Sequence, residues 1–338
     1  VPGSRYRNAR STALGEVYQP LADDAASALF YNPAAFGKLV GARFEPVNLV
    51  FEGNSEFLGG MGTHSPGIFG LDGYKQHLLE NPYRFESVSA QWFTGFAARG
   101  FGFGVLGRAE MGGKYEPESG VIRYRSAYQL IPAVGGGVRL ASGILRLGYS
   151  LQWVNRSGAD TSTPSSGSGL SYIRGGTGGS GVSGTLAGAL TLPYEFLPQF
   201  DVVARNFLDS SYGGFSLLPA PSGGASLPAT EKMTFDGSFM LQPKLGAGAT
   251  LRWILLFRDF TGVYGASLLG RLGTALEFDL RNAFFLRGGF GNGYPSLGIG
   301  FRRRRSDFGL SWYSAERGVS YRSEREIRFL FQYQVRAF

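Results

Sequence analysis

Chemistry needs side chains that hold a metal, attack a carbon or move a proton, and this chain is sparing with them. It has no cysteine and two histidines, His64 and His77. Without cysteine there is no thiolate ligand, thiol nucleophile or disulfide framework. Both histidines fall in one stretch, residues 54–86, among carboxylates at no metal-binding spacing. Neither has a serine and an aspartate placed to complete a nucleophilic triad. Gly100-Phe101-Gly102-Phe103-Gly104 and Gly289-Phe290-Gly291-Asn292-Gly293 superficially match nucleotide loops. No helix pattern or Lys-Ser/Thr follows them, so they read as strand and turn glycines. The expectation is no enzyme, no cofactor and no metal.

The remaining chemistry lies in charges that alternate with apolar residues. Arg146, Ser150 and Gln152 oppose Leu145, Leu147, Tyr149, Leu151 and Trp153. Thr250 and Arg252 oppose Leu245, Ala247, Ala249, Leu251, Trp253, Leu255 and Phe257. Ser267, Arg271, Glu277 and Asp279 oppose Leu268, Leu272, Leu276 and Phe278. Side chains alternate faces along a strand, so each segment has one apolar and one polar face. Arg146, Arg252, Arg271 and Glu277 then share a lumen. They read as an internal salt-bridge network or, because arginine grips carboxylates in a two-pronged fashion, as contacts for a ligand carboxylate.

The elements that must position these residues repeat along the chain. Alternating strands are expected at 42–52, 87–98, 101–111, 121–141, 144–156, 181–192, 199–207, 233–243, 245–257, 265–280, 283–291, 296–302, 307–314 and 325–337. Pro132 inside one of them predicts a bulge or kink. Connections alternate between short (Arg99-Gly100, Ser142-Gly143, 193–198, the Pro243 turn, Arg281-Asn282, 303–306) and longer (53–86, 112–120, 157–180, 208–232, 258–264, 292–295, 315–324). Bacterial transmembrane barrels show this asymmetry, with even strand numbers and short periplasmic turns. The fold class expected is all-β: a transmembrane antiparallel barrel of about 14 strands with an N-terminal plug. A helix over Asp72–Glu80 is expected in the first long loop.

Composition agrees. Of 338 residues, 53 are glycine, 14% are aromatic and 17% charged. The net charge of +8 fits lumen and rim arginines, with Arg302–Arg305 read as a periplasmic turn or, alternatively, as a contact to anionic lipid headgroups or a periplasmic partner. Nucleic-acid binding is set aside, because the aromatics alternate into the opposite face from the charges. The opening Val-Pro-Gly-Ser carries no charged-then-apolar leader and is taken as a mature end.

Residues 1–41 do not alternate. Asp23 or Asp24 can cap a helical turn through Ala25–Tyr31, and Pro33 stops it. Ser11-Thr12-Ala13-Leu14-Gly15, Ala22-Asp23-Asp24-Ala25 and Asn32-Pro33-Ala34 resemble the N-terminal hatch of FadL-type outer-membrane transporters. The stretch from Phe285 to Gly300, with Phe308-Gly309-Leu310, is similar to the same superfamily, including PorV-type barrels. The outer loops that build the transporters' ligand groove are not recognisable here. Terminal Phe338 matches an assembly-signal aromatic, although Phe331 and Tyr333 fall on the opposite alternation.

The resemblance implies residues 1–41 as a hatch inside a barrel formed by 42–338. Asp23, Asp24, Asn32, Pro33 and Ala34 become the hatch or gate. The location expected is the outer membrane of a Gram-negative bacterium, both termini periplasmic. Three readings stay open. The first is passive uptake of hydrophobic or amphipathic, fatty-acid-like molecules, with such a ligand or detergent in the lumen. The second is a non-enzymatic barrel that binds a protein partner in an envelope or secretion complex, as PorV-type barrels do. The third is an open porin. All three contact outer-membrane lipid.

Overall fold

A computed structural model describes residues 5–60, 71–166, 176–207, 209–218, 226–246, 248–265, 267–317 and 321–337. The strands are β1 (Arg43–Asn54), β2 (Glu86–Ala98), β3 (Phe101–Glu116), β4 (Val121–Leu140), β5 (Leu145–Pro164), β6 (Thr177–Thr191), β7 (Gln199–Phe207), β8 (Thr234–Leu241), β9 (Lys244–Gly246), β10 (Ala249–Phe257), β11 (Leu272–Leu280), β12 (Phe284–Gly291), β13 (Tyr294–Arg302), β14 (Ser306–Glu316) and β15 (Arg325–Val335). Each pairs antiparallel with its neighbours in one sheet, and β1 pairs with β15. β10 joins β8 to β11 and closes the ring, so β9 is a three-residue piece of a turn and fourteen strands make the wall. Closure satisfies every strand edge, which a sheet spanning a bilayer requires.

The faces follow the alternation. Leu147, Tyr149 and Leu151 are exposed while Arg146, Ser150 and Gln152 are buried. Leu276 is exposed and Glu277 fully buried. On β15, Phe329, Phe331 and Tyr333 point out while Leu330, Gln332 and Gln334 point in. A continuous band of exposed leucine, valine and aromatic side chains around a polar interior is the inverse of a soluble protein and fits hydrocarbon outside. No helix among the described residues is long and apolar enough to cross a membrane.

Two strand expectations are corrected. Residues 267–271 do not extend β11. The Ser267 side chain accepts from the Gly270 amide at 3.2 Å and caps a helical turn, α5 (Leu268–Arg271). Residues 245–248 leave the wall in a turn where Gly246 and Gly248 take positive φ, so Leu245 sits in a turn and Ala247 lies outside the described residues. Elsewhere β8 and β15 stop two residues short of the expected 233–243 and 325–337, while β3 runs on to Glu116, β5 to Pro164, and β6 begins at Thr177. The longer β5 and β6 absorb much of the 157–180 loop. Pro132 interrupts the β4–β5 ladder, which lacks pairs between Leu130↔Asn155 and Ala133↔Gln152. The Asn155 side-chain amide donates to the freed Leu130 carbonyl at 3.1 Å.

The first long loop contains α3 (Ser55–Gly60) and α4 (Leu71–Glu80), where the helix was expected. His77 on α4 sits 2.7 Å from the Glu86 carboxylate, both buried. His64 and Phe338 lie outside the described residues.

Candidate functional site

Residues 5–39 do not join the wall. Short capped elements build them. Asn8 and Ser11 form a reciprocal capping box at α1 (Ala9–Ala13), and Asp24 and Ser27 form another at α2 (Ala25–Phe30). The Asn32 side-chain oxygen Oδ1 accepts from the Ala34 amide at 3.1 Å and opens a 3-10 turn, Pro33–Gly37. Proline at the first position costs nothing there, because that amide has no helical partner.

This segment bonds to inward side chains around the whole ring. The Ala9 amide donates to Gln332 at 2.9 Å, Thr12 meets Ser311 at 2.7 Å and Ser296 donates to the Ala13 carbonyl at 2.9 Å. Gln19 donates to Asp236 at 2.8 Å, Gln152 to the Leu29 carbonyl at 2.9 Å, and the Ala25 amide to Glu45 at 2.9 Å. Partners on β1, β5, β8, β13, β14 and β15 place the segment in the lumen. The backbone of a non-strand segment is satisfied there by polar residues on the wall's inner face.

Three arginines of the segment, at 5, 7 and 10, reach three sectors of the wall. Arg10 forks onto Glu277 with two bonds of 2.7 Å. Arg252 reaches the same carboxylate at 2.7 Å and Arg287 at 2.8 Å, while Asp279 takes Arg252 at 3.2 Å and Asp23 takes Arg10 at 3.0 Å. Three guanidiniums thus meet three carboxylates. Arg7 pairs with Glu52, which Arg328 also holds. Arg5 and Arg156 share Glu231 in the loop after β7. Burial raises the Glu231 carboxyl, but the two guanidiniums outweigh it and hold the group below the usual range.

Of the lumen quartet expected from sequence, only Arg252 and Glu277 meet. Arg146 is buried on β5 and donates to Thr191 at 2.6 Å. Arg271, carried out of the lumen by α5, donates to the Asp259 carbonyl at 3.1 Å near the long-loop rim. The alternation rule failed at Arg271 because it presumes a strand. Asp24 bonds locally to the Ser27 amide at 2.7 Å rather than to the wall. Asn32 does reach the wall: its amide donates to Asp201 at 2.8 Å and to the Gln19 carbonyl at 3.1 Å. Ala34 packs against Ala187, Ala189 and Val203.

Sequence reasoning missed Arg5, Arg7, Arg10, Arg287, Glu52 and Asp201. The last three lie on inward parity within expected strands and were available from that signal. The three N-terminal arginines lie where no period exists to assign a face.

Glycine explains how so much chain fits inside. A Cβ on Gly148 would lie 2.2 Å from the Pro33 carbonyl oxygen, and one on Gly291 would lie 2.0 Å from that of Gly15. At both places the segment's backbone runs directly against the wall's backbone, so the expected strand glycines are also the bed of the segment.

Among the described residues, parts of the lumen stay open, lined by both polar and apolar side chains. A cavity of about 90 Å³ opens among Arg5, Arg156, Arg205, Arg258, Glu231 and Asp236. Beneath it, the contact between segment and wall is apolar. Tyr6, Leu29, Phe30 and Phe36 pack on inward Phe93, Leu106, Ile131, Val154, Met240 and Ile254.

No family model matches this chain, and no curated protein matches it. Solved structures do. A TodX mutant described as a monoaromatic hydrocarbon channel aligns with a TM-score of 0.58 at 15% identity, over 98% of each chain. The Pseudomonas putida toluene transporter TodX aligns at 0.56 and 14% identity, over 99% of this chain and 98% of that one. The CymD monoaromatic hydrocarbon channel aligns at 0.53 and 10% identity, over 99% and 97%. Over nearly its whole length the chain therefore shares the fold of these TodX and CymD barrels.

Proposed function

We propose that this barrel is a passive outer-membrane channel for hydrophobic or amphipathic small molecules, with residues 5–39 as the hatch that closes it. The observation that carries this reading is the apolar sector of the inner wall. A water-filled porin lines its lumen with polar residues. Here Phe93, Leu106, Ile131, Val154, Met240 and Ile254 face inward and are covered by the segment. A shift of the segment uncovers an apolar surface suited to an apolar solute and unsuited to ions. The charged cavity above it suits a solute with a polar head, so an amphipathic, fatty-acid-like molecule is favoured over a bare hydrocarbon. The neighbours named for monoaromatic hydrocarbons supply the second solute class to test. Both termini are assigned to the periplasm, with the long loops outside.

Asn32 and Pro33 are the proposed gate, because they hold one edge of the segment to β5 and β7 through few bonds. The test is uptake of a fluorescent fatty acid and of toluene into vesicles holding wild type, Asn32→Ala or Pro33→Ala barrels of equal insertion. Faster uptake of one solute class by the variants, with little gain in ion conductance, is expected. A wild-type barrel that passes and binds neither solute, yet keeps a protein partner through purification, would overturn the channel reading in favour of the partner-binding barrel.

A further inference from the structure

The chain's net charge of +8 is unevenly placed. At the long-loop end, acidic and basic residues are mixed and paired, as in Arg84–Glu56, Lys114–Glu116 and Arg317–Glu324. The short-turn end differs. Arg281 in the β11–β12 turn and Arg303, Arg304 and Arg305 in the β13–β14 turn are all exposed. The two turns are adjacent: the Arg302 amide donates to the Ala283 carbonyl at 2.7 Å, and the Arg302 side chain reaches Asn282 at 3.0 Å. The acid beside them, Asp307, is already engaged by Arg302 and Arg336. Asp279 is engaged by Arg252. Among the described residues, the four exposed guanidiniums have no carboxylate partner.

Their depth is marked on the same strands. Phe284, Phe301 and Phe308 form an outward row one or two residues into the wall from these turns, and Phe331, deeper on β15, packs on Phe308. Neighbouring ring centroids are 5.1, 6.3 and 5.0 Å apart. Aromatic girdles of transmembrane barrels lie at the membrane interface. The arginines just beyond the row are therefore at headgroup level, with apolar wall directly beside them.

We propose that Arg281 and Arg303–Arg305 form a binding site for the phosphate headgroups of anionic phospholipids in the adjoining leaflet. The guanidinium fork matches phosphate oxygens, and unpaired basic residues at a membrane surface attract anionic lipid. The phenylalanine row decides between occupants. A ligand with an anionic head and acyl chains meets both the arginines and the adjacent apolar wall, whereas an acidic soluble protein meets only the arginines. The site depends on the barrel lying in a bilayer and not on the channel reading.

The test uses the purified full chain, stripped of lipid in non-ionic detergent and titrated with phosphatidylglycerol or phosphatidylcholine under native mass spectrometry. Wild type retains phosphatidylglycerol in preference. The variant Arg303→Gln/Arg304→Gln/Arg305→Gln loses roughly tenfold of that preference, with phosphatidylcholine retention unchanged. A control at the other end, Arg123→Gln/Arg125→Gln/Arg322→Gln, keeps it. Heat-dependent gel mobility shows whether each barrel is folded, and Arg304→Gln alone gives a smaller loss if the triple variant does not fold. Equal retention of both lipids by wild type, an unchanged preference in the triple variant, or an equal loss in the control overturns the proposal. So does displacement of phosphatidylglycerol by inorganic phosphate at equal concentration, which would assign the arginines to a free anion.

Discussion

The lumenal segment is held against two sectors of the wall in two different ways. Against β11–β14, α1 and the turn after it lie on glycines, and Arg10 is locked into the buried cluster around Glu277. Against β4–β7, the turn Pro33–Gly37 also lies on glycine, but Asn32 supplies a neutral amide to Asp201 and Ala34 packs on small side chains. The fit of backbone to glycine is common to both; the buried cluster of several ion pairs is not. A buried ion cluster is strongly destabilised when one partner is removed, because the others are left uncompensated in a low dielectric. A single amide donor and a few methyl contacts are less demanding. The first sector therefore acts as an anchor and the second as the edge able to move.

The largest expected effect comes from breaking the anchor. Glu277→Gln leaves Arg10, Arg252 and Arg287 around an uncharged amide, and a loss of about 3–5 kcal/mol is expected for a broken buried pair. Urea unfolding of the reconstituted barrel measures it. A loss no greater than that of Asn32→Ala would erase the distinction between the sectors.

Next is Gly148→Ala. Its Cβ would collide with the Pro33 carbonyl at 2.2 Å, and overpacking of this kind costs about 1–3 kcal/mol. The wall pairing of β5 should survive, while the Pro33–Gly37 turn lifts. Protease cleavage near Lys38 in the folded variant checks this, and an uncleaved segment would argue that the second edge is as firmly held as the first.

Asn32→Ala is milder. It removes one donor from buried Asp201, but Gln199 still reaches both Asp201 oxygens at 2.9 Å. A loss of about 1 kcal/mol is expected, with insertion retained.

The smallest effect belongs to an ion pair outside both sectors. Arg317 and Glu324 are 2.9 Å apart but 40% and 54% exposed. Arg317→Gln should change stability by about 0–1 kcal/mol, read from the same urea transitions. A loss near that of Glu277→Gln would show that pairing alone, not burial, governs these contacts.

The wall was largely legible from sequence. The period of two assigned faces at Leu147, Arg252, Leu276 and Glu277 without any knowledge of neighbours. It failed where local chemistry broke the strand, as when Ser267 capped a helical turn and took Arg271 to the rim. Glycines at 246 and 248 likewise ended a strand that hydropathy continues. The cap at Asp23 or Asp24 was also legible, because a cap acts over two or three residues, and the structure selects Asp24.

What sequence alone determined was thus whatever acts over a few residues: alternation, turns and caps, and through them a barrel with a non-alternating segment before it. Only the tertiary structure decided which inward charges meet. Arg252 and Glu277 are partners because β10 and β11 pair in the register Arg252↔Glu277. Arg146, on equally good parity, sits on β5 elsewhere on the ring. Arg10 joins them because glycine-lined strands admit its backbone close enough for the side chain to reach. Parity fixes a side of the wall, but height and angle around the ring come from register and closure, which depend on every strand at once.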